Sequence, residues 1–129
     1  MPETDFVSVR ADGSGGPDFK KASPEEQARV LEVLRNIEPI SQRENGLRND
    51  AAVAPFVPRY NLEQVNVPTL VISAEDDLFG TFKGGRYTAE HIPGAHFVGY
   101  PTGGHLLAGH GGDVRRELAG FLADRGSLQ

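Results

Sequence analysis

Cysteine and tryptophan are absent from this 129-residue chain, and methionine occurs once. Without thiols there is neither a disulfide framework nor a thiolate metal site, a composition compatible with a reducing compartment. No apolar run approaches the roughly 20 residues needed to cross a bilayer. The opening Met1-Pro2-Glu3-Thr4-Asp5 is acidic and lacks the apolar core of a secretory signal. A soluble, cytoplasmic protein that does not engage membranes is therefore expected. Basic stripes are missing as well: only Lys20-Lys21 and Arg115-Arg116 are adjacent pairs, and the net charge is −5. That balance argues against a nucleic-acid partner. Four histidines without a His-Glu-x-x-His pattern predict no metal site. No Gly-x-Gly-x-x-Gly follows a strand, so no phosphate-bearing cofactor is expected either.

The chain is long enough for one domain, and 38% apolar with 24% charged residues is ordinary for a globular protein. Its 16 glycines and 9 prolines cluster between predicted elements. Residues 1–22 read as irregular, although Phe6-Val7-Ser8-Val9 has the composition of a short strand. The first clear element starts at Ser23-Pro24-Glu25-Glu26, where an N-cap Ser, Pro at the first helical position and Glu at the third form a capping box. Val30, Leu31, Val33, Leu34 and Ile37 continue it as an amphipathic stripe, stopped by Pro39. A second helical stretch is predicted over residues 40–49, and extended chain punctuated by Pro55 and Pro58 follows. Thr69-Leu70-Val71-Ile72 reads as a strand buried on both faces, as in a parallel sheet. A helix over 82–91, a strand at 95–100 and a helix over 113–123 complete a βαβα pattern. The last helix places Val114, Leu118, Phe121 and Leu122 on one face.

Chemistry concentrates where those strands end. Asp76-Asp77 leaves the first strand and Gly103-Gly104-His105 leaves the second, so parallel neighbours would bring an acid and an imidazole to one edge. An Asp that accepts from one imidazole nitrogen sets the tautomer, leaving the other nitrogen free to take a proton. Asp77 and His105 are the candidate catalytic residues, with Asp76 second in line for the acid. Acids after strands also serve as turn formers and helix caps, which is the competing expectation for Asp77. Gly80, Gly84, Gly85, Gly103 and Gly104 are read as tight-turn residues. Phe79, Phe82, Tyr87 and Tyr100 are read as core or pocket wall, and His91 and His96 as a helix end and a strand residue.

Residues 67–122 resemble the C-terminal portion of an α/β-hydrolase. Val67-Pro68-Thr69-Leu70-Val71-Ile72-Ser73-Ala74-Glu75-Asp76-Asp77 is similar to the family phrase that ends in the triad acid. Gly103-Gly104-His105 is similar to the phrase that supplies the triad His. The resemblance implies a partial α/β-hydrolase-like parallel sheet with flanking helices, a cap-like helical region at 23–58 and the hydrolase-like unit at 59–129. It assigns Asp77 as the acid and His105 as the general base. Arg59-Tyr60-Asn61-Leu62-Glu63 resembles the return from cap to sheet. The family's nucleophile elbow Gly-x-Ser-x-Gly is not found. Gly13-Ser14-Gly15 lacks a strand leading into it, and His110-Gly111-Gly112 follows the His instead of preceding it.

The function expected on this basis is that of an α/β-hydrolase-family protein carrying a serine-hydrolase-type Asp/His pair, inactive alone because its Ser nucleophile lies elsewhere. A small, apolar, ester-like substrate is implied, with Leu34, Ile37, Leu47, Phe56 and Val57 as pocket candidates. Two alternatives stand beside it: a non-catalytic module that self-associates or binds a partner through an exposed strand edge, and one chain of a two-chain hydrolase. The first predicts a homodimer or a partner-bound state, the second a partner chain that carries the elbow.

Overall fold

The computed structural model describes residues 17–126. Among them are five α-helices and a two-stranded parallel sheet, a mixed α/β arrangement. Helix α1 is Pro17–Lys21, α2 Pro24–Ile37 and α3 Glu44–Val53; strand β1 is Leu70–Ala74, α4 Thr81–His91, β2 His96–Tyr100 and α5 Gly111–Gly126. The predicted strand at Phe6-Val9, together with Ser14, lies outside the described residues. Of the segment expected to be irregular, Pro17–Lys21 forms helix α1, where Phe19 is buried in a small core.

β1 and β2 pair in register from Leu70 opposite His96 to Ala74 opposite Tyr100. The ladder is bounded by His96 N–H donating to the Thr69 carbonyl at 2.9 Å and Glu75 N–H donating to the Tyr100 carbonyl at 2.9 Å. Odd-numbered residues of β1 therefore turn their backbone groups toward β2. The backbone groups of Leu70 and Ile72 point to the opposite edge, where no strand pairs among the described residues. β1 is buried at Ser73 and Ala74 but only half-buried from Leu70 to Ile72, which corrects the expected two-sided burial. Among the described residues, no further strand or helix encloses both faces of the sheet.

One face is covered by α4. Gly84 and Gly85, expected in a turn, lie inside this helix. At Gly85 an added Cβ would stand 3.2 Å from Val71 Cγ1, so the glycine lets helix and strand approach closely. Phe82 packs edge-on against Phe97 at 5.4 Å between centroids, extending the same contact to β2.

A second core joins α1 and α2 to the loop after β2: Phe19, Val30 and Ala108 are buried together, with Leu31, Leu34 and Leu106 against them. Ser23 caps α2 as predicted, accepting from Glu26 N–H at 3.2 Å. The reciprocal half of the capping box does not form, because the Glu26 side chain is engaged elsewhere (below). Arg43 closes the other end of α2 by donating to the carbonyls of Asn36 and Ile37, both at 2.8 Å. The predicted second helix is a short 3-10 turn, Ile40–Arg43, followed by α3. Every residue from 41 to 61 is exposed, including Leu47, Phe56 and Val57. α5 is longer than predicted, and Leu118 and Leu122 on its expected buried face are exposed.

Val30 is the one large side chain fully removed from solvent among the described residues. Val30→Ala is expected to cost about 2 kcal/mol, the lost transfer energy plus a residual cavity. Urea unfolding should register this as a lower midpoint at unchanged slope.

Candidate functional site

The chain turns sharply as it leaves β1. Asp77 N–H donates to the Ala74 carbonyl at 3.3 Å, and Gly80 N–H to the Asp77 carbonyl at 2.9 Å. The Asp77 side chain completes the turn: Oδ1 accepts from Phe79 N–H at 2.9 Å, an Asx-type bond. Gly80 follows in the left-handed region at φ 66°, the entry to α4. The Thr81 hydroxyl, on the first residue of that helix, donates to Asp77 Oδ2 and lies 3.2 Å from the Ser73 hydroxyl. The reading of Asp77 as a turn former is thus correct in itself. It accounts for one carboxylate oxygen.

The other oxygen does more. Asp77 Oδ2 also meets His105 Nδ1 at 2.9 Å, and the Asp77 side chain is 3% exposed while that of His105 is 46% exposed. The structure brings the two sequence-derived candidates into direct contact. Burial, the largest single influence, pushes the Asp77 carboxyl up, but hydrogen bonds from Thr81, His105 and the Phe79 N–H together outweigh it and hold the group below the ordinary carboxylate range. An ionised Asp77 can only accept, so Nδ1 of His105 is the donor. In the neutral imidazole, Nε2 then carries the lone pair. Among the described residues nothing hydrogen-bonds Nε2. The ring rests edge-on against Phe79 at 4.7 Å between centroids. Phe79 is half exposed, so of the two expectations, core or pocket wall, it fits a wall residue beside His105 and not a core one.

Asp76 has a different role from the one for which it stood second. Its carboxylate accepts from Gly104 N–H at 2.8 Å and Gly103 N–H at 3.2 Å, holding the start of the His105 loop. Gly103, at φ 118°, adopts a conformation L side chains avoid, and an added Cβ would stand 3.1 Å from Leu107 Cα. The loop then closes through Ala108 N–H to the Gly103 carbonyl at 2.8 Å. Leu107 sits at φ 53°, a strained value for a leucine.

A cavity of about 500 Å³ runs beside this pair. Val71, Ile72, Gly85 and Leu107 form its apolar walls, and Asp77 and His105 its polar end. None of Leu34, Ile37, Leu47, Phe56 or Val57 lines it, which corrects the expected pocket: those residues belong to α2 or to the exposed stretch after it. Sequence reasoning missed Thr81, whose only signal was its position four residues after Asp77 at the start of a helix. It also missed the contacts that α2 makes with the His105 loop, for which no local pattern exists. His91 and His96 lie at the end of α4 and the start of β2, as predicted. Among the described residues no group of three or more His, Asp or Glu side chains is placed to hold a metal ion, and no helix is long and apolar enough to cross a membrane.

Comparison with family models, with curated proteins and with solved structures gave no match.

Because the folded-state carboxyl of Asp77 lies below its unfolded value of about 3.9, the folded form binds its proton less readily. The resulting stabilisation is complete above the unfolded value and is lost as pH falls through the folded one. The stability gap between the parent and Asp77→Asn should therefore be widest above about pH 5 and shrink steadily below about pH 4. Urea titrations at a series of pH values measure it; a gap that widens on acidification would contradict the assignment.

Proposed function

We propose that this chain carries the acid–base half of a hydrolase of the α/β-hydrolase type, with His105 as general base and Asp77 as its orienting acid. The 2.9 Å contact between Asp77 Oδ2 and His105 Nδ1, at the carboxyl ends of two adjacent parallel strands, carries the reading. Nε2 takes the proton of an oxygen nucleophile as that oxygen adds to an acyl carbonyl. The imidazolium, stabilised by Asp77, then returns the proton to the leaving group. The apolar walls of the adjoining cavity suit a small, apolar, ester-like substrate, and a volume of about 500 Å³ lies within the range of small-molecule sites. The nucleophile is taken to come from a segment missing in this chain: of the described serines, Ser23 is occupied as a helix cap, Ser73 is bonded to Thr81, and Ser41 lies on the exposed stretch after α2.

The open edge of β1 favours a second reading, in which the chain pairs with a second copy or with a partner chain. Two parallel strands are few for a stable sheet. Among the described residues the backbone groups of Leu70 and Ile72 on that edge have no strand partner, and such an edge is a template for another strand. Such a module is either non-catalytic or one chain of a two-chain hydrolase. Sedimentation at high dilution tests it, and a well-folded monomer there counts against it.

The isolated chain is expected to give no turnover of a nitrophenyl ester and no adduct with a fluorophosphonate serine probe. Turnover by the chain alone, abolished by His105→Ala, would show that the nucleophile is its own. If a polypeptide co-purifying from the native source restores turnover, that turnover should fall by at least about a thousandfold in His105→Ala, in keeping with the loss of a triad member. Restored turnover indifferent to His105 removes the basis for the hydrolase reading.

A further inference from the structure

The face of α2 that meets the His105 loop carries more than apolar contacts. Glu26, Arg29 and Val30 occupy positions i, i+3 and i+4, so they lie on one side of the helix. Val30 packs in the core with Ala108. Arg29 Nη2 donates to the Leu106 carbonyl at 2.9 Å. Glu26, itself buried, accepts from Gly111 N–H at 2.6 Å across a separation of 85 residues. Gly111 opens α5, so the acidic side chain also sits where a helix favours negative charge.

The space for this contact is made by a missing side chain. A Cβ on Gly111 would stand 2.5 Å from Glu26 Oε1 and 3.0 Å from its Cδ. A glutamate withdrawn from its own capping box and a glycine that admits it thus form one paired feature. Together with Asp76, which grips Gly103 and Gly104, they hold the segment bearing His105 at both ends. Without Glu26, the C-terminal end of that segment keeps Arg29, Val30, the stacking of His110 on Tyr100 at 4.3 Å and the backbone bonds of His110 N–H to Leu107 and Val114 N–H to His110, none of which engages the Gly111 N–H.

We propose that Glu26 is a positioning residue for His105, acting through the Gly111 N–H to hold the imidazole against Asp77. It gains catalytic meaning only with the acid–base reading above, but its test needs no turnover. The readout is the His105 Nδ1 proton in the NMR spectrum of the full chain, identified by its loss in His105→Gln, and its exchange rate with water. Glu26→Asp keeps the charge but is one methylene too short, and should speed that exchange about tenfold, the worth of one net hydrogen bond. Gly111→Ala should do the same by expelling the carboxylate. Glu26→Gln, which retains an acceptor oxygen of the same reach but gives up the charge, should speed the exchange less than Glu26→Asp does, and a larger rise than in Glu26→Asp contradicts the role. Ile92→Ala, at a buried position just after α4 and outside the His105 segment, controls for loss of stability alone. A parent-like proton in folded Glu26→Asp and Gly111→Ala overturns the positioning role, as does an equal effect of Ile92→Ala. If either variant fails to fold, the other decides. A parent chain without a protected Nδ1 proton overturns the Asp77–His105 dyad, and this proposal with it.

Discussion

The carboxylate of Asp77 is the constraint on which the rest of the site depends. It is nearly excluded from water, a placement that would be costly for an uncompensated charge. Three donors compensate: the backbone of Phe79, the hydroxyl of Thr81 and the ring of His105. The first two build the turn out of β1 and the entry into α4, and the third reaches across to the loop after β2. One side chain therefore joins a local backbone decision to a long-range side-chain geometry. The imidazole cannot be held in one tautomer unless the turn forms, and the turn's buried acid is better satisfied when the imidazole is present.

Around that carboxylate the molecule is economical in structure. Two strands and one covering helix form the platform, and α1 and α2 make a separate small core with the His105 loop. The two acids after β1 divide the work: Asp77 orients the ring, and Asp76 shapes the glycine turn that presents it. Glu26 performs for the far end of the loop what Asp76 performs for the near end. An imidazole that is nearly half exposed is thus set in place by backbone-directed carboxylates and not by enclosure.

Much of this was legible along the chain because it depends on near neighbours. Ser23 followed by Pro24 marks the start of α2, Pro39 marks its end, and the β-rich run ending in Ile72 marks β1. Asp77 and His105 were found because a parallel βαβ unit places the residues that follow its strands side by side. Gly84 and Gly85 were misread for the same reason that local rules work: paired glycines favour turns, but here close packing on Val71 outweighs their poor helix propensity. Thr81 was missed because a threonine at a helix start is common and signals nothing about an acid four residues earlier.

By itself, the order of residues determined the helical and extended segments of the βαβα unit and the pair of residues that would share its rim, because periodicity, caps and strand ends are properties of adjacent positions. Only the tertiary structure decided which oxygen of which aspartate meets the imidazole, where Glu26 spends its hydrogen bond, and which apolar residues line the cavity. Those outcomes depend on groups separated by 27, 28 and 85 positions. No local pattern encodes such distances; packing sets them.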